Sequence, residues 1–278
     1  MRKWRALLHS STLGIRIHVL ELAALHNILL PPNRRLIVCL DGTWNVKSNT
    51  TNVWRIYASI AENDSEGVAQ CKYYAQGVGT RWYDALVGGA LGIGTYSMVK
   101  EAYCWITEQY REGDELCLFG FSRGAVAALS LANLIDRCGL VSPKSGNTFD
   151  EDYRLYSMPG FLRGTPASDR FRHDSADSRT GSPLRLIGLF DTVASLYARE
   201  ISGEAMHVYQ LPQSARSVFH AIAIDENRRQ FQSVRFASAP PNGILRERWF
   251  AGAHANVGGG YPFDPLAFAP LEVTGPGV

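Results

Sequence analysis

The chain has 278 residues, of which 28 are Lys or Arg and 26 are Asp or Glu, so its formal net charge is +2. A nearly neutral chain without a Lys/Arg block lacks the basic stripe that binds phosphate backbones, which excludes nucleic acid as an expected partner. Hydrophobic residues make up 46% of the chain, enough for a large buried core, and this excludes extensive disorder.

The five cysteines include neither a CxxC pair nor a short Cys/His spacing, so the sequence predicts no disulfide framework and no zinc site. We therefore expect a reducing compartment, with the cytoplasm first. A mitochondrial location stays open, because residues 1–20 contain Arg, Ser and Leu but no acidic residue. Neither a secretory signal nor a transmembrane helix is predicted, because Arg, His and Glu interrupt the most apolar stretch, 15–30.

Residues 1–33 are predicted to be a weakly structured N-terminal extension that ends at a Pro-Pro-Asn break. From residue 34 to 278, short apolar runs alternate with longer amphipathic segments, which is typical of a parallel sheet with crossover helices. Strands are predicted at 36–40, 68–74, 115–119, 184–190, 219–224 and 248–251, and helices at 98–110 and 123–138. The fold class is therefore α/β, with a doubly wound and mainly parallel sheet.

A polar stretch at about 141–183, rich in Ser, Arg, Asp and Gly, interrupts this order. It is too long for an ordinary loop of a compact domain. We expect either an insertion that lies over the functional site or a disordered excursion.

The segment Gly120-Phe121-Ser122-Arg123-Gly124 fits the GxSxG pattern of a nucleophile elbow. The pattern alone is weakly specific, and a turn serine with a structural role is the alternative. Here, however, an apolar strand runs straight into the motif and an apolar helix leaves it at once. The two glycines would let backbones pass closely around the strained turn that lifts the serine above the sheet. This context favours Ser122 as a nucleophile.

A serine hydroxyl is a poor nucleophile at neutral pH, so a histidine must accept its proton and an acid must orient that histidine. In α/β-hydrolases the acid and then the histidine follow the serine along the chain. Asp191 directly follows a predicted buried strand, and His254 follows another strand and enters a glycine-rich loop. Two rivals stay open: Asp225 just after the strand at 219–224, and His220 within it, where a core histidine is the common finding.

Stabilising the developing oxyanion requires two backbone N–H donors, one from the residue after the nucleophile and one from a loop after another strand. Arg123 would supply the first donor, and Thr43 or Gly42, directly after the first strand, the second. Asp41 in the same loop is a supporting residue, as are Gly120 and Gly124 of the elbow. Asp41 could instead ligate magnesium, but no partner carboxylates accompany it. The sequence predicts no metal and no organic cofactor.

These motifs, in this order, resemble the α/β-hydrolase catalytic domain of type VI secretion phospholipase effectors, a family with fungal relatives of unknown function. The landmarks run from about residue 34 to 261 and include 40–45, 52–55, 73–74, 77–80, 120–125, 190–193, His254 and 257–261. The resemblance implies a Ser122, Asp191, His254 triad that hydrolyses carboxylic esters, with phospholipids as the substrates of the effectors.

Three features depart from the family pattern. Asn256 occupies the third position of the usual His-x-Asp-Val-Gly-Gly, which removes a charge from the loops that support the triad. Leu129 stands in the elbow helix where family members tend to carry an arginine. Family domains also continue well past the Gly-Gly-Gly-Tyr stretch, so the resemblance predicts a truncated C-terminal side for a chain ending at Val278.

The sequence thus predicts a serine hydrolase that cleaves carboxylic esters, with lipid or phospholipid acyl esters as the substrate and a transient membrane surface as a partner. One alternative is an esterase for soluble, non-lipid substrates. Activity on short-chain esters that does not rise above the lipid aggregation threshold would favour this alternative. The other is a non-catalytic interaction module that kept the hydrolase fold, as the Asn256 and Leu129 departures suggest. No oligomeric state follows from the sequence.

Overall fold

The structure is a computed structural model, and it describes residues 34–43, 50–77, 90–140, 149–157, 183–193 and 210–274. The expected N-terminal extension, 1–33, and most of the expected insertion lie outside these residues. Within the described ranges, no helix combines the length and the apolar character that crossing a bilayer requires.

The described part of the chain forms a six-stranded sheet in which every neighbouring pair is parallel. Its strands are β1 (Arg34–Thr43), β2 (Ala69–Gly77), β3 (Glu115–Phe121), β4 (Leu184–Phe190), β5 (Ser217–Ala223) and β6 (Ile244–Phe250). The spatial order is β2-β1-β3-β4-β5-β6. Strand β1 therefore lies inside the sheet, with β2 on one side and β3 to β6, in chain order, on the other. The predicted doubly wound sheet is confirmed, and its described pairs are all parallel rather than mainly so.

Helices connect and cover these strands. They are α1 (Asn52–Ser59), α2 (Ala90–Gln109), α3 (Arg123–Cys138), α4 (Phe149–Tyr156), α5 (His254–Gly258) and α6 (Phe268–Thr274), with 3₁₀ turns at Arg229–Phe231 and Pro265–Ala267. The predictions at 98–110 and 123–138 correspond to α2 and α3. The other four helices were not predicted.

The central strands bury both faces, which explains their continuous apolar sequence. Along β1, Leu36, Val38 and Leu40 belong to the larger core cluster, whereas Ile37 and Cys39 belong to the smaller cluster on the opposite face. Side chains of a strand alternate between the two faces of a sheet. A strand with helices on both sides therefore needs an apolar residue at every position, as in other buried parallel sheets.

Among the helices that the structure describes, the elbow helix α3 is the most deeply buried. All of its residues except Arg123 and Val126 are buried, and it packs against β1, β3 and β4. Small alanines alternate with leucines along it, which lets the helix approach the sheet closely. The N-terminal end of this helix is thereby held at the carboxyl edge of β3, where Ser122 lies.

Besides the unpredicted helices, three segments differ from the sequence-based expectations. Strand β1 continues to Thr43, so Asp41, Gly42 and Thr43, which were expected in a loop after the first strand, lie at the carboxyl end of that strand. The outer strand β6 begins at Ile244 rather than at residue 248, because charged residues that remain half-exposed on an edge strand hide the apolar signal. Part of the expected insertion forms α4, which packs Phe149, Tyr153 and Tyr156 into the larger core cluster. These three aromatics recur at helical spacing, so residues 149–156 form a helix that packs into the core.

Candidate active site

Ser122 occupies a sharp turn between β3 and α3. Its φ of 57° and ψ of −118° form a conformation that costs a non-glycine residue about 1–3 kcal/mol and persists only where the surroundings impose it. Its side chain lies at the carboxyl edge of the sheet, and within the described ranges its hydroxyl has no hydrogen-bond partner. This is the strand-turn-helix arrangement of a nucleophile elbow.

The two elbow glycines are required by close backbone contacts. A Cβ on Gly124 would lie 2.1 Å from the Leu40 carbonyl oxygen, and one on Gly120 would lie 2.4 Å from the Gly124 carbonyl oxygen. Both distances are far below van der Waals contact, and the atoms involved are backbone that cannot turn aside. The elbow therefore depends on glycine at both positions, as the sequence pattern predicted.

Two backbone hydrogen bonds join the ends of successive strands beside the elbow. The Ser122 N–H donates to the Phe190 carbonyl at 3.0 Å, and the Asp191 N–H donates to the Ala221 carbonyl at 2.7 Å. Each bond links the residue after one strand to the end of the next strand in the sheet. Ser122 and Asp191 are therefore held at the same carboxyl edge by the sheet itself.

Asp191 and His254 form a close, buried pair. Asp191 Oδ2 lies 2.6 Å from His254 Nδ1, and the Asp191 side chain is fully buried. The other carboxylate oxygen accepts the Ala223 N–H at 3.0 Å and the Ser233 hydroxyl. These donors satisfy the carboxylate and fix its orientation, which in turn assigns the histidine proton to Nδ1 and leaves Nε2 as a proton acceptor.

Two aromatic rings fix the plane of the His254 ring. Phe121, the residue before the nucleophile, lies 4.7 Å from it between ring centroids, and Phe231 contacts it edge-on at 5.0 Å. Phe121 also fills the space beside Gly258, where a Cβ would lie 2.0 Å from the Phe121 ring. Phe121 thus couples α5 to the elbow. The His254 Nε2 atom has no hydrogen-bond partner among the described residues, so a Ser122–His254 bond is not formed in this structure.

Glu226 anchors the backbone of the histidine. Its Oε2 accepts the His254 N–H at 3.2 Å, and both of its oxygens bind the Arg228 guanidinium. The hydrogen bonds from Arg228 lower the pKa of Glu226 to about 2, although partial burial opposes the shift. Sequence reasoning missed Glu226 because it lies 28 residues before His254 and belongs to no motif.

The rival residues have other partners. His220 is buried and lies between the Thr192 N–H and Glu247, so it is a core histidine with both ring nitrogens engaged. Asp225 accepts the Gly252 N–H at 2.7 Å and holds the loop before α5. Of the sequence-based candidates, the structure brings Asp191 and His254 together.

Asp41 lies at the carboxyl end of β1, next to the two candidates for the second oxyanion donor. Its buried carboxylate accepts the Gly42 N–H at 2.8 Å, the Tyr74 hydroxyl at 2.7 Å and the Thr51 hydroxyl at 2.5 Å. Burial raises the pKa of Asp41, although these hydrogen bonds oppose the rise. These three donors satisfy the buried carboxylate of Asp41. Because the Gly42 N–H is used in this contact, Thr43 is the remaining candidate for the second donor.

Arg123 is the first residue of α3, and the N–H groups of a helix's first turn point out of its end. Burial lowers the pKa of the Arg123 guanidinium to about 10, so the side chain stays protonated at neutral pH. Ser122 is therefore followed directly by a helix N-terminus and a cationic residue, an arrangement that favours negative charge.

The family model of the catalytic domain of Tle1-like phospholipase effectors of the type VI secretion system (T6SS) matches residues 34–272. The chain belongs to this family. An uncharacterized protein of Saccharomyces cerevisiae is 26% identical over 235 residues, which cover 74% of this chain and 33% of the yeast protein. The chain thus spans about a third of the length of the curated relative that it matches.

Solved structures with a similar backbone include an uncharacterized protein from Pseudomonas aeruginosa, with 16% identity and a TM-score of 0.48 over 86% of this chain and 44% of that one. The Tle1 effector bound to the VgrG spike has 19% identity and a TM-score of 0.46, over 85% of this chain and 53% of that one. A Thermogutta terrifontis esterase has 14% identity and a TM-score of 0.46, over 87% and 81% of the two chains.

The surroundings of Asn256 and Leu129 explain why this chain departs from the Tle1-like family pattern at these two positions. Asn256 Oδ1 accepts the Ala253 N–H at 2.9 Å, and its Nδ2 lies 3.3 Å from both carboxylate oxygens of Asp264. An aspartate at position 256 would place two carboxylates face to face, so the asparagine matches Asp264. Leu129 is fully buried in the larger core cluster, where an arginine would need a partner for its charge.

Asn256→Asp should therefore destabilise the protein, although it restores the residue of the family pattern. We expect a loss of about 1–3 kcal/mol in the free energy of unfolding at pH 7, because a hydrogen bond is replaced by the repulsion of two partly buried carboxylates. Chemical denaturation followed by circular dichroism measures the loss, which should shrink when the pH is low enough to protonate one carboxyl.

The matched control is the exchange Asn256→Asp with Asp264→Asn. It reverses the direction of the same hydrogen bond and should recover most of the lost stability. Equal stability of the single variant and the wild type would contradict the coupling of Asn256 to Asp264.

Proposed function

We propose that this chain is a serine ester hydrolase in which Ser122 is the nucleophile, His254 the general base and Asp191 the residue that orients it. The observation that carries the proposal is the 2.6 Å contact between Asp191 Oδ2 and His254 Nδ1 beside a serine in the nucleophile-elbow conformation. Membership of a phospholipase effector family and the chain order serine, aspartate, histidine support the same roles.

In this mechanism the Ser122 oxygen attacks the ester carbonyl carbon while His254 Nε2 takes the hydroxyl proton. The negative charge that develops on the carbonyl oxygen is stabilised by the N–H groups of Arg123 and Thr43. Collapse of the tetrahedral intermediate breaks the bond to the alcohol, which leaves with the proton from His254. Water, deprotonated by the same nitrogen, then attacks the acyl-serine; the bond to the Ser122 oxygen breaks, His254 returns the proton to that oxygen, and the carboxylic acid is released.

Asp191 acts through His254 and does not itself take the proton. Its carboxylate holds the ring with Nε2 directed away from Asp191 and stabilises the imidazolium that forms in each half-reaction. Three further hydrogen bonds hold Asp191 in place: its second oxygen accepts the Ala223 N–H and the Ser233 hydroxyl, and its own N–H donates to the Ala221 carbonyl. The carboxylate therefore needs no reorientation when the positive charge appears on the ring.

The substrate that we propose is a lipid or phospholipid acyl ester. The family of phospholipase effectors supports this choice. Two exposed apolar side chains also support it: Ile224, directly after β5 at the carboxyl edge of the sheet, is 60% exposed, and Phe263, in the segment that follows α5, is 97% exposed. Exposed apolar side chains of this size are suited to contact with acyl chains and with a membrane surface.

Changing any of the three triad residues should abolish most of the hydrolysis of a p-nitrophenyl ester. We expect Ser122→Ala, His254→Ala and Asp191→Asn each to lower kcat by about 10³-fold or more, because the three residues act as one unit. Stopped-assay kinetics on purified, folded variants measure the effect.

Asp225→Asn is the matched control for Asp191→Asn, because Asp225 follows the neighbouring strand and its oxygen can still accept the Gly252 N–H. Its kcat should equal that of the wild type. A wild type without hydrolysis of any ester, or an Asp191→Asn variant as active as the wild type, would refute the proposed triad.

The lipid assignment predicts interfacial behaviour. Hydrolysis of a short-chain phosphatidylcholine should rise steeply above its aggregation threshold, and Phe263→Ala should lower the rate on vesicles about tenfold, as expected for about 1.5 kcal/mol of lost apolar burial. Phe263→Ala and the wild type should hydrolyse p-nitrophenyl butyrate equally well.

Ile244→Ala is the control variant for Phe263→Ala. It removes an exposed apolar residue from the amino end of β6 and should keep full activity on vesicles. Equal rates below and above the aggregation threshold, with no effect of Phe263→Ala, would instead indicate an esterase for soluble substrates.

A further inference from the structure

A second buried histidine lies behind the catalytic aspartate. His220 belongs to β5, and its Nε2 accepts a hydrogen bond from the Thr192 N–H at 3.2 Å. Its Nδ1 lies 3.3 Å from Glu247 Oε1 on the neighbouring strand β6. His220 is almost completely buried, so water cannot take the place of either hydrogen-bond partner.

The partners of His220 assign its tautomer. The Thr192 N–H is a donor, so Nε2 must be the unprotonated nitrogen that accepts. The ring proton then resides on Nδ1 and points to Glu247. Glu247 is itself fixed, because its Oε2 binds Arg235 Nε at 3.2 Å and its Oε1 accepts the Phe236 N–H at 3.4 Å. A neutral histidine with one defined tautomer is therefore held between an anchored carboxylate and a backbone amide.

The Thr192 N–H that binds His220 belongs to the peptide bond that directly follows Asp191. Asp191 has a φ of 39°, a conformation that a non-glycine residue adopts only under external constraint. The bond from the Thr192 N–H to His220 fixes the plane of this peptide, and the Val234 N–H donates at 2.8 Å to the Thr192 carbonyl, which belongs to the following peptide. Together they constrain the backbone that aims the Asp191 carboxylate at His254.

We propose that His220, oriented by Glu247, is a positioning residue for Asp191, which it holds in the turn that directs its carboxylate to His254. The inference rests on the proposed function, in which Asp191 orients the general base. His220 does not touch substrate and exchanges no proton in the reaction. Its contribution is to keep the distance and angle of the Asp191–His254 bond, and displacements of about 1 Å in such geometry cost up to roughly 100-fold in rate.

Two variants of His220 separate this role from simple packing. His220→Leu fills the site with an apolar side chain and leaves the Thr192 N–H without an acceptor. His220→Gln is the conservative variant, because its amide oxygen can reach the Thr192 N–H. We expect His220→Leu to lower kcat roughly 10- to 100-fold with KM unchanged, and His220→Gln to recover most of the loss.

Val218→Ala is the matched control for stability. Val218 is fully buried on the same strand, at the end far from the site. This variant should lower the unfolding temperature while kcat stays at the wild-type value. A His220→Leu variant whose kcat also stays at the wild-type value, or a His220→Gln variant as impaired as His220→Leu, would overturn the positioning role.

A double-mutant cycle tests whether His220 acts through Asp191. In an Asp191→Asn background, His220→Leu should cost little further activity, because the group that it positions is already lost. Fully additive losses would contradict the inference.

A readout that does not require turnover keeps this inference separate from the proposed function. The proton between His254 Nδ1 and Asp191 should give a downfield signal in the ¹H NMR spectrum of the wild type and of His220→Gln, and His220→Leu should lose it. An inactive wild type that shows this pattern would refute the hydrolase and retain the positioning role. An active wild type whose downfield signal survives in His220→Leu would retain the hydrolase and refute the positioning role.

Discussion

The close approach of the elbow helix α3 to the sheet is the constraint on which the site depends. Helix and strand meet backbone to backbone at Gly124 and Leu40, with no room for a side chain between them. This contact forces the chain between β3 and α3 into a tight turn and leaves Ser122 with a positive φ. The cost of that turn is offset by a helix that is buried over nearly its whole length. The strained serine is thus a consequence of core packing rather than a separate feature of the site.

The same edge of the sheet collects polar groups that would be costly to bury alone. Asp41 and Asp191 are both fully buried carboxylates, and each is surrounded by hydrogen-bond donors from the backbone and from hydroxyl groups. The two carboxylates differ in their remaining partner. Asp41 accepts hydrogen bonds only from neutral donors, which join the end of β1 to Thr51 and Tyr74, whereas Asp191 directs one oxygen to His254. Of these two carboxylates, Asp191 is therefore the one in a position to act through a histidine, as the proposed function requires.

The sequence predicted the parts of the fold and site whose signals are local. Strands β1, β3 and β4 are continuous apolar runs because both of their faces are covered, and β4 was predicted with its observed bounds. The elbow was found from its glycines, and Asp191 and His254 from their places after strands. The roles of Glu226 and His220 could not be found in this way, because their partners lie 28 residues away in the chain and meet them only in the folded sheet. The edge strand β6 was too short in the prediction, because charged residues on a half-exposed strand remove the apolar pattern.

Active-site labelling measures whether the Asp191–His254 pair activates Ser122. The folded protein would be incubated with a fluorophosphonate, digested and analysed by peptide mass spectrometry. We expect a single covalent adduct, located on Ser122, whose formation slows by orders of magnitude in His254→Ala. No adduct on a demonstrably folded protein, or an adduct on a different residue, would show that the pair does not activate Ser122.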